Sequence, residues 1–361
     1  MIYLDANATE PLRPEAHAAV IAALGHTGNP ASVHAAGRAA RRVLENARET
    51  IARRFGGLPA DLVFTSGGTE ADALAVHALG HGRRVIIAAT EHDAIRAAAP
   101  AATVLEVDAQ GRADLDVLAA MLREGAALVC LMLANNETGT LQPVAEAAAL
   151  CRAAGAWLHV DAVQAAGRID VDLVALGAHS LALSSHKLGG PPGAGALLLT
   201  PEAAAALTPL IAGGGQERGR RGGTPPVPTI AGFAAAALAA GDAGRLATLR
   251  DMAEQAAIAA GAIPFGAAAP RLPNTACLAL PGVRAETQVI ALDLAGIAVS
   301  AGAACSSGKV ARSHVLEAMG AGPLAGQAIR VSLPWNATEA DVRAFAAAYQ
   351  TMAGRLSRAA A

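Results

Sequence analysis

Aromatic side chains are scarce: two Trp, two Tyr and five Phe make up 2% of the 361 residues. The few rings serve as local packing anchors, and heavy use of Ala favours helix wherever the apolar pattern allows it. Cysteine is almost as sparse. Cys130, Cys151, Cys277 and Cys305 are widely spaced with no Cys-x-x-Cys pair, which suggests neither a zinc site nor a disulfide framework and leaves free thiols in a reducing compartment. No apolar run approaches the roughly 18–20 residues of a membrane span; the longest candidates, such as residues 230–240, are Ala-rich. Charge of either sign is not in excess. Lys and Arg number 28 against 30 Asp and Glu, and the net −2 offers no field that would draw nucleic acid or a membrane surface. The opening Met1-Ile2-Tyr3-Leu4-Asp5 lacks the basic and apolar regions of a secretion signal, so a cytoplasmic protein is expected. Small-molecule chemistry is the starting point.

What the chain has in quantity is apolar residues, 53% of the total, over a length greater than one core usually serves. Two domains sharing an interface are therefore expected. Residues 36–55 carry apolar positions at helical spacing with Arg38, Arg41, Arg42, Arg48 and Arg53 between them, which reads as an amphipathic helix with a solvated basic face. Strands are expected at 61–65, 84–88, 103–107, 127–133, 156–164, 180–184 and 195–199, with helices at 71–79, 115–122 and 144–153 among them. The run 127–133 is continuously apolar, as strands buried on both faces of a parallel sheet are. A long helical pattern over about 230–261 then leads to a second unit. Its strands at 275–280, 297–300 and 329–333 alternate with helices at 286–294, 310–319 and 339–356, the grammar of a small α+β domain.

Polar residues gather where the strands of the first unit end, and open α/β sheets place their ligands there. Ser66-Gly67-Gly68-Thr69 turns from a strand into a helix, with Thr69 as a cap and backbone N–H groups suited to a phosphate. His92 follows the next strand, and Asn136 ends the one after it. Asp161 closes an apolar strand, a costly place for an acid unless a cation or several donors face it, and Gln164 follows. Ser184-Ser185-His186-Lys187 is delivered by one apolar run into a Gly/Pro turn. A lysine half buried there is partly desolvated and nucleophilic, which is Schiff-base chemistry. The glycine-rich, charged stretch 213–224 is a loop that must pack against something. Residues 300–309 are small and carry Cys305, a loop thiol with Lys309 and Arg312 near enough to favour its thiolate. Singly, each feature has a structural reading: a capping aspartate, a satisfied histidine, a solvated hairpin lysine. Jointly they are the set a pyridoxal phosphate pocket asks for, namely an anion site, a carboxylate for the pyridinium nitrogen, a flat ring partner and a Schiff-base lysine.

The order of these motifs resembles the cysteine desulfurases of the NifS/IscS type, pyridoxal phosphate enzymes of fold type I with a class V aminotransferase-like chain. The resemblance runs over nearly the full length: Tyr3-Leu4-Asp5, Gly28-Asn29-Pro30-Ala31-Ser32-Val33-His34, Thr65 to Ala71, Glu91-His92, Ala134 to Gly139, His159 to Gln164, Ser184 to Lys187, Gly213 to Glu217, the Arg-Gly-Gly-Thr ending at Thr224, and Ala304-Cys305-Ser306-Ser307-Gly308. It implies an α/β fold with a large cofactor-binding domain over 15–245, built on a mostly parallel seven-stranded sheet flanked by helices. A smaller α+β domain, from 1–14 and 246–361, would carry the cysteine loop. The implied roles are equally specific. Lys187 would hold pyridoxal phosphate and shuttle the substrate's α-proton, Asp161 would keep the pyridine nitrogen protonated, His92 would stack on the ring, and Gln164 would donate to its phenolic oxygen. Gly68, Thr69, Ser184 and His186 would bind the phosphate, with Thr224 reaching it from the neighbouring subunit of a homodimer. Asn136, Arg330 and His34 would bind substrate. L-Cysteine would become L-alanine, its sulfur passing to Cys305 as a persulfide and then to an acceptor protein, an iron–sulfur scaffold or another sulfur carrier. No metal site is implied in the single chain.

Two stretches depart from the family's pattern. Gly190-Pro191-Pro192-Gly193 stands where a Lys commonly follows Gly-Pro, and Ser332-Leu333-Pro334-Trp335-Asn336 differs from the usual tail after the arginine. Selenocysteine lyases and other class V aminotransferase-like enzymes share the pocket. The Cys305 loop argues against a simple aminotransferase, which needs no thiol, but does not separate sulfur from selenium. An idle scaffold on the same fold is opposed by the intact Lys187, Asp161 and Cys305.

Overall fold

A computed structural model describes residues 1–241, 243–302 and 312–360. Seven strands form the large sheet in the order Leu62–Thr65, Gly195–Leu199, Ser180–Ser184, Trp157–Asp161, Ala127–Cys130, Arg84–Ala88, Thr103–Leu105. All run parallel except Gly195–Leu199, which is antiparallel to both its neighbours. The central strands are buried at every position, which is why they read as unbroken apolar runs and not as alternation. Successive residues nevertheless serve opposite cores. Ile86, Val129 and Leu198 pack with Ile51, Phe55 and Phe233 on one face, and Ile87, Leu128 and Leu197 pack with Leu74, Leu79 and Trp157 on the other.

The smaller sheet has four antiparallel strands, Ser300–Ala301, Ala328–Ser332, Thr275–Ala279 and Ile263–Phe265. Ile2–Tyr3 pairs in parallel with Ile297–Ala298, and Leu4 enters the same core as Leu278, Ile329, Phe345 and Tyr349. The chain's beginning is thus stitched to its last third. Asn7 extends the seam: its backbone N–H donates to Ser332 Oγ (3.0 Å) and its side chain to Thr275 Oγ1 (3.0 Å). That leaves the Asn7 carbonyl to face the larger sheet.

Several expectations need correction. The long helical pattern is two helices, Val227–Ala239 and Ala243–Ala259, because Ala240 turns extended and Gly241, a weak helix former, follows it. The run 297–300 divides at Val299 between two sheets. The helix expected over 310–319 is His314–Ala318, capped by Ser313 Oγ, which accepts from the Leu316 N–H. The helix after the glycine turn begins at Gly68, so Thr69 lies inside its first turn and does not cap it.

Arg48 is also misplaced by the amphipathic reading. It is buried, and its guanidinium grips both carboxylate oxygens of Glu217 at 2.8 Å while donating to the Leu62 carbonyl. Glu217 additionally accepts the Phe64 N–H (2.9 Å). This pair is the packing partner that the 213–224 loop required. Glu217→Ala takes the bidentate partner from a buried guanidinium, leaving it the half-exposed Glu45 at 3.1 Å, and is expected to cost about 3 kcal/mol, read as a lowered midpoint in denaturant unfolding; an exposed pair such as Arg343–Glu339 should cost under about 1 kcal/mol on the same change.

Candidate active site

The parallel strands end at one edge, and the polar residues that follow them surround a cavity of about 150 Å³. Its lining includes Gly68, Thr69, His92, Asn136, Asp161, Gln164, Ser184, His186 and Lys187. The helix Gly68–Leu79 opens on this cavity with Gly67 as its cap position and no side-chain cap, so its first N–H groups are left for whatever the cavity holds. Glycine is required here by close approach: a Cβ on Gly68 would lie 2.6 Å from Val163 Cγ2, and one on Gly195 would lie 2.6 Å from Gly67 Cα. Beside this turn Ser184 Oγ is buried with no hydrogen-bond partner among the described residues.

Strand Ser180–Ser184 runs into one turn of 3-10 helix, Ser185–Lys187, which turns the lysine back toward the chain's beginning. Lys187 Nζ donates to the carbonyls of Asn7 and Ala8. His186 Nδ1 lies 3.0 Å from Thr9 Oγ1. Burial, with Lys187 and Arg168 adding to it, pulls His186 down to about 4, so it is neutral near pH 7. Asp161 Oδ1 accepts the Val163 N–H (2.9 Å) at its strand's tip. Burial raises the Asp161 carboxyl, while that N–H, His92 and Lys187 oppose the rise. His92 begins the helix Asp93–Ala98, with Nδ1 accepting the Ala94 N–H (3.1 Å) and its ring lining the cavity.

Other residues expected at the site stand elsewhere. Arg330 is buried in strand Ala328–Ser332 and does not line the cavity; it donates to Asp5 Oδ1 (2.7 Å) and to the carbonyl of Asn136 (3.1 Å), which does. Its Nε has no partner among the described residues. Thr224 is exposed and lines a separate cavity with Ser66 and Arg221. His34 is exposed at the start of helix Ala35–Arg54, accepting the Gly37 N–H. Cys305 and Lys309 lie outside the described residues.

Asp72 was not singled out from the sequence, although it stands one helical turn after Thr69. It lines the cavity, and its Oδ1 is 3.1 Å from His159 Nε2; His159 Nδ1 is 2.8 Å from Ser180 Oγ. Burial first, then Asp161 and Glu91, raise the Asp72 carboxyl well above its ordinary value, and burial holds His159 neutral, at about 3. The turn is braced from outside by Arg221, whose guanidinium meets both oxygens of Glu70 (2.8 and 3.1 Å), while Glu70 accepts the Ser66 N–H.

The aminotransferase class-V profile matches residues 2–345. The chain belongs to the class-V aminotransferase family. A cysteine desulfurase of Cereibacter sphaeroides is 43% identical to it over 360 residues, covering 94% of this chain and 92% of the relative. An IscS-like cysteine desulfurase of Mycobacterium tuberculosis is 38% identical, over 99% of this chain and 97% of its own. Among solved structures, a NifS-like protein from Rickettsia africae superposes with a TM-score of 0.90 at 34% identity, over 98% of this chain and 99% of the other. This class-V chain thus has NifS/IscS-like relatives in sequence and in structure. Pyridoxal phosphate is the cofactor such kinship implies, and the donor set fits it: an uncapped helix start beside the orphaned Ser184 hydroxyl suits the phosphate, and Asp161 suits a protonated ring nitrogen.

Near the cavity, Glu137 is buried, accepts from Ser313 Oγ (2.6 Å), and is pushed up to about 7 by burial, against the pull of Ser313 and Arg330. A carboxyl raised in the folded state contributes stability that is fully present below its unfolded value and is lost as pH rises through the folded one. Thermal midpoints should therefore decline between about pH 4.5 and about 7 in part through Glu137. In Glu137→Gln that part of the decline is expected to vanish.

Proposed function

We propose that the chain is a pyridoxal phosphate-dependent cysteine desulfurase, taking L-cysteine to L-alanine and passing the sulfur through Cys305 to an acceptor protein. The observation that carries the reading is the convergence on one cavity of Lys187, the strand-tip Asp161 and an uncapped helix start beside an orphaned hydroxyl. Identity of 43% with a cysteine desulfurase over 94% of the chain supports it.

When bound, pyridoxal phosphate supplies an aldehyde that condenses with a primary amine and a ring that takes up electron density from the substrate's α-carbon. The chain's own residues do the rest. The first N–H groups of Gly68–Leu79, with Thr69, Ser184 and neutral His186, bind the phosphate. Asp161 would hold a proton on the ring nitrogen, with Asp72 and Glu91 close by as acids that burial holds toward their neutral form. His92 stacks, and Gln164 donates to the phenolic oxygen. Lys187 Nζ, resting against the Asn7 and Ala8 carbonyls, is the group that holds the cofactor and moves the α-proton. Asn136 orients the substrate, and Arg330 grips its carboxylate in place of Asp5.

Sulfur transfer balances as cysteine plus the Cys305 thiol giving alanine plus the Cys305 persulfide. The Cβ–S bond breaks, an S–S bond forms, and the proton lost by the thiol ends on carbon. In a homodimer, Thr224 of one copy reaches the phosphate site of the other. A cytoplasmic iron–sulfur scaffold or another sulfur carrier is the acceptor.

The test is incubation of the holoenzyme with L-cysteine, followed by mass spectrometry for one sulfur added on Cys305 and an assay for alanine. Borohydride reduction of the holoenzyme should label Lys187. Cys305→Ala is expected to abolish persulfide and sulfide formation, and Asp161→Asn to lower turnover by roughly 10²-fold or more. Wild-type sulfide release from Cys305→Ala would overturn the sulfur route; an unlabelled Lys187 would overturn the cofactor assignment.

A further inference from the structure

Behind the cavity stands a buried ion pair that the proposed reaction does not use. Arg168 is 7% exposed and faces Gln164 with one arm and Glu10 with the other. Its Nη1 donates to Gln164 twice, to the backbone carbonyl (2.9 Å) and to the side-chain Oε1 (2.5 Å). Its Nη2 donates to the Ala6 carbonyl (3.1 Å) and meets Glu10 Oε2 at 3.2 Å. The other oxygen of Glu10 accepts the backbone N–H of Trp335, whose ring lies under the Arg13 guanidinium. Trp335 belongs to the stretch that departs from the family's usual tail, and here it seats the acid that balances Arg168.

A carboxamide presents an acceptor at one end and two donors at the other, in nearly the same shape, so its partners alone decide which end faces a ligand. A guanidinium carries donors only. Gln164 must therefore turn Oε1 to Arg168, which turns Nε2 away. One hydrogen of Nε2 goes to the carbonyl of Asn7 (3.0 Å), the same carbonyl that receives Lys187 Nζ. The other is left for an acceptor in the cavity that Gln164 lines. Without Arg168 the Asn7 carbonyl alone would oppose reversal of the amide, which would set its oxygen against an electron-rich ligand atom.

We propose that Arg168, its charge balanced by Glu10, is a positioning residue that fixes Gln164 as a hydrogen-bond donor into the cavity. Arginine suits the task because one planar fork spans Gln164, Ala6 and Glu10 together, which a lysine cannot do. The inference rests on the cofactor reading above, since the acceptor Gln164 would serve is the phenolic oxygen of pyridoxal phosphate.

Two measurements test it without recourse to turnover. The first is the visible absorption band of the bound cofactor and its dissociation constant by equilibrium dialysis. Gln164→Glu keeps an oxygen toward Arg168 and removes the donor; it should shift the band and weaken retention by roughly tenfold. Arg168→Met combined with Glu10→Gln removes both charges at once and should move band and affinity in the same direction. A double variant with wild-type circular dichroism, band and affinity, beside a shifted Gln164→Glu, would overturn the proposal. So would a Gln164→Glu protein that matches wild type in both, whereas borohydride labelling of Lys187 reports on the cofactor assignment independently. The second measurement needs no variant to fold in place of the native chain. In ¹⁵N-labelled cofactor-free protein, the Gln164 side-chain N–H signals should show proximity to Lys187 protons, and proximity to the Arg168 guanidinium protons instead would overturn the orientation.

Discussion

Parallel pairing of Trp157–Asp161 with Ser180–Ser184, in the register Asp161 opposite Ala182, sets an acid and a lysine turn at the same edge of one sheet. The strand Leu62–Thr65 is tied to that edge through Gly195–Leu199, with Thr65 and Ser184 both opposite Gly195. A slip of one residue along any of these strands would send Asp161 or Ser184 to the other face. The buried aliphatic residues on both faces forbid that slip, because each strand would have to exchange one packed core for another. The geometry of the cavity is in this sense a by-product of core packing.

The cavity's electrostatics follow from burial. Asp72, Glu91 and Asp161 are each raised by desolvation; Asp161 further raises Asp72 and Glu91, and Glu91 raises Asp72. Glu91 keeps Oε1 on the Met132 N–H, and its Oε2 has no partner among the described residues. His159 is held neutral and His186 is pulled down to about 4, so neither adds positive charge near pH 7. Carboxyls raised in this way are held toward their neutral form, which is how several acids can be buried close together.

Charge is treated differently around the glycine turn. Glu217 and Arg218 hold left-handed backbone conformations, at φ 47° and 60°, which side chains other than glycine adopt only when the surroundings compel them. Here the Glu217 carboxylate is gripped by Arg48 and by the Phe64 N–H, and Arg218 reaches the Ala60 carbonyl. Together with Arg221 on Glu70, these contacts fasten the 213–224 loop onto the segment that leads into Gly67 and Gly68. Two guanidiniums thus brace from outside the turn that the cavity uses from inside.

Local pattern sufficed to place the strands of the large sheet, although the runs 103–107, 127–133 and 156–164 end sooner, at Leu105, Cys130 and Asp161, and the short strand Ile263–Phe265 carries no local signal. The helices Leu115–Leu122 and Val144–Ala153 stand where periodicity puts them, and the polar residues after the buried runs meet around one cavity, because a strand's end and its next turn are local facts. Pattern failed where a distant partner changed a residue's meaning. Arg48 reads as a solvated charge until Glu217 arrives from the far side of the chain, Arg330 finds Asp5, and the run 297–300 is divided because Ile2 and Tyr3 pair with its first half while Arg330 pairs with Ser300. Asp72 and Arg168 look like ordinary helix and loop charges in one dimension. The sequence by itself determined which side chains stand at strand ends, since alternation and turn chemistry act over a few residues. Only the tertiary structure decided which buried charge faces which, because burial and pairing depend on segments that meet solely in the folded chain.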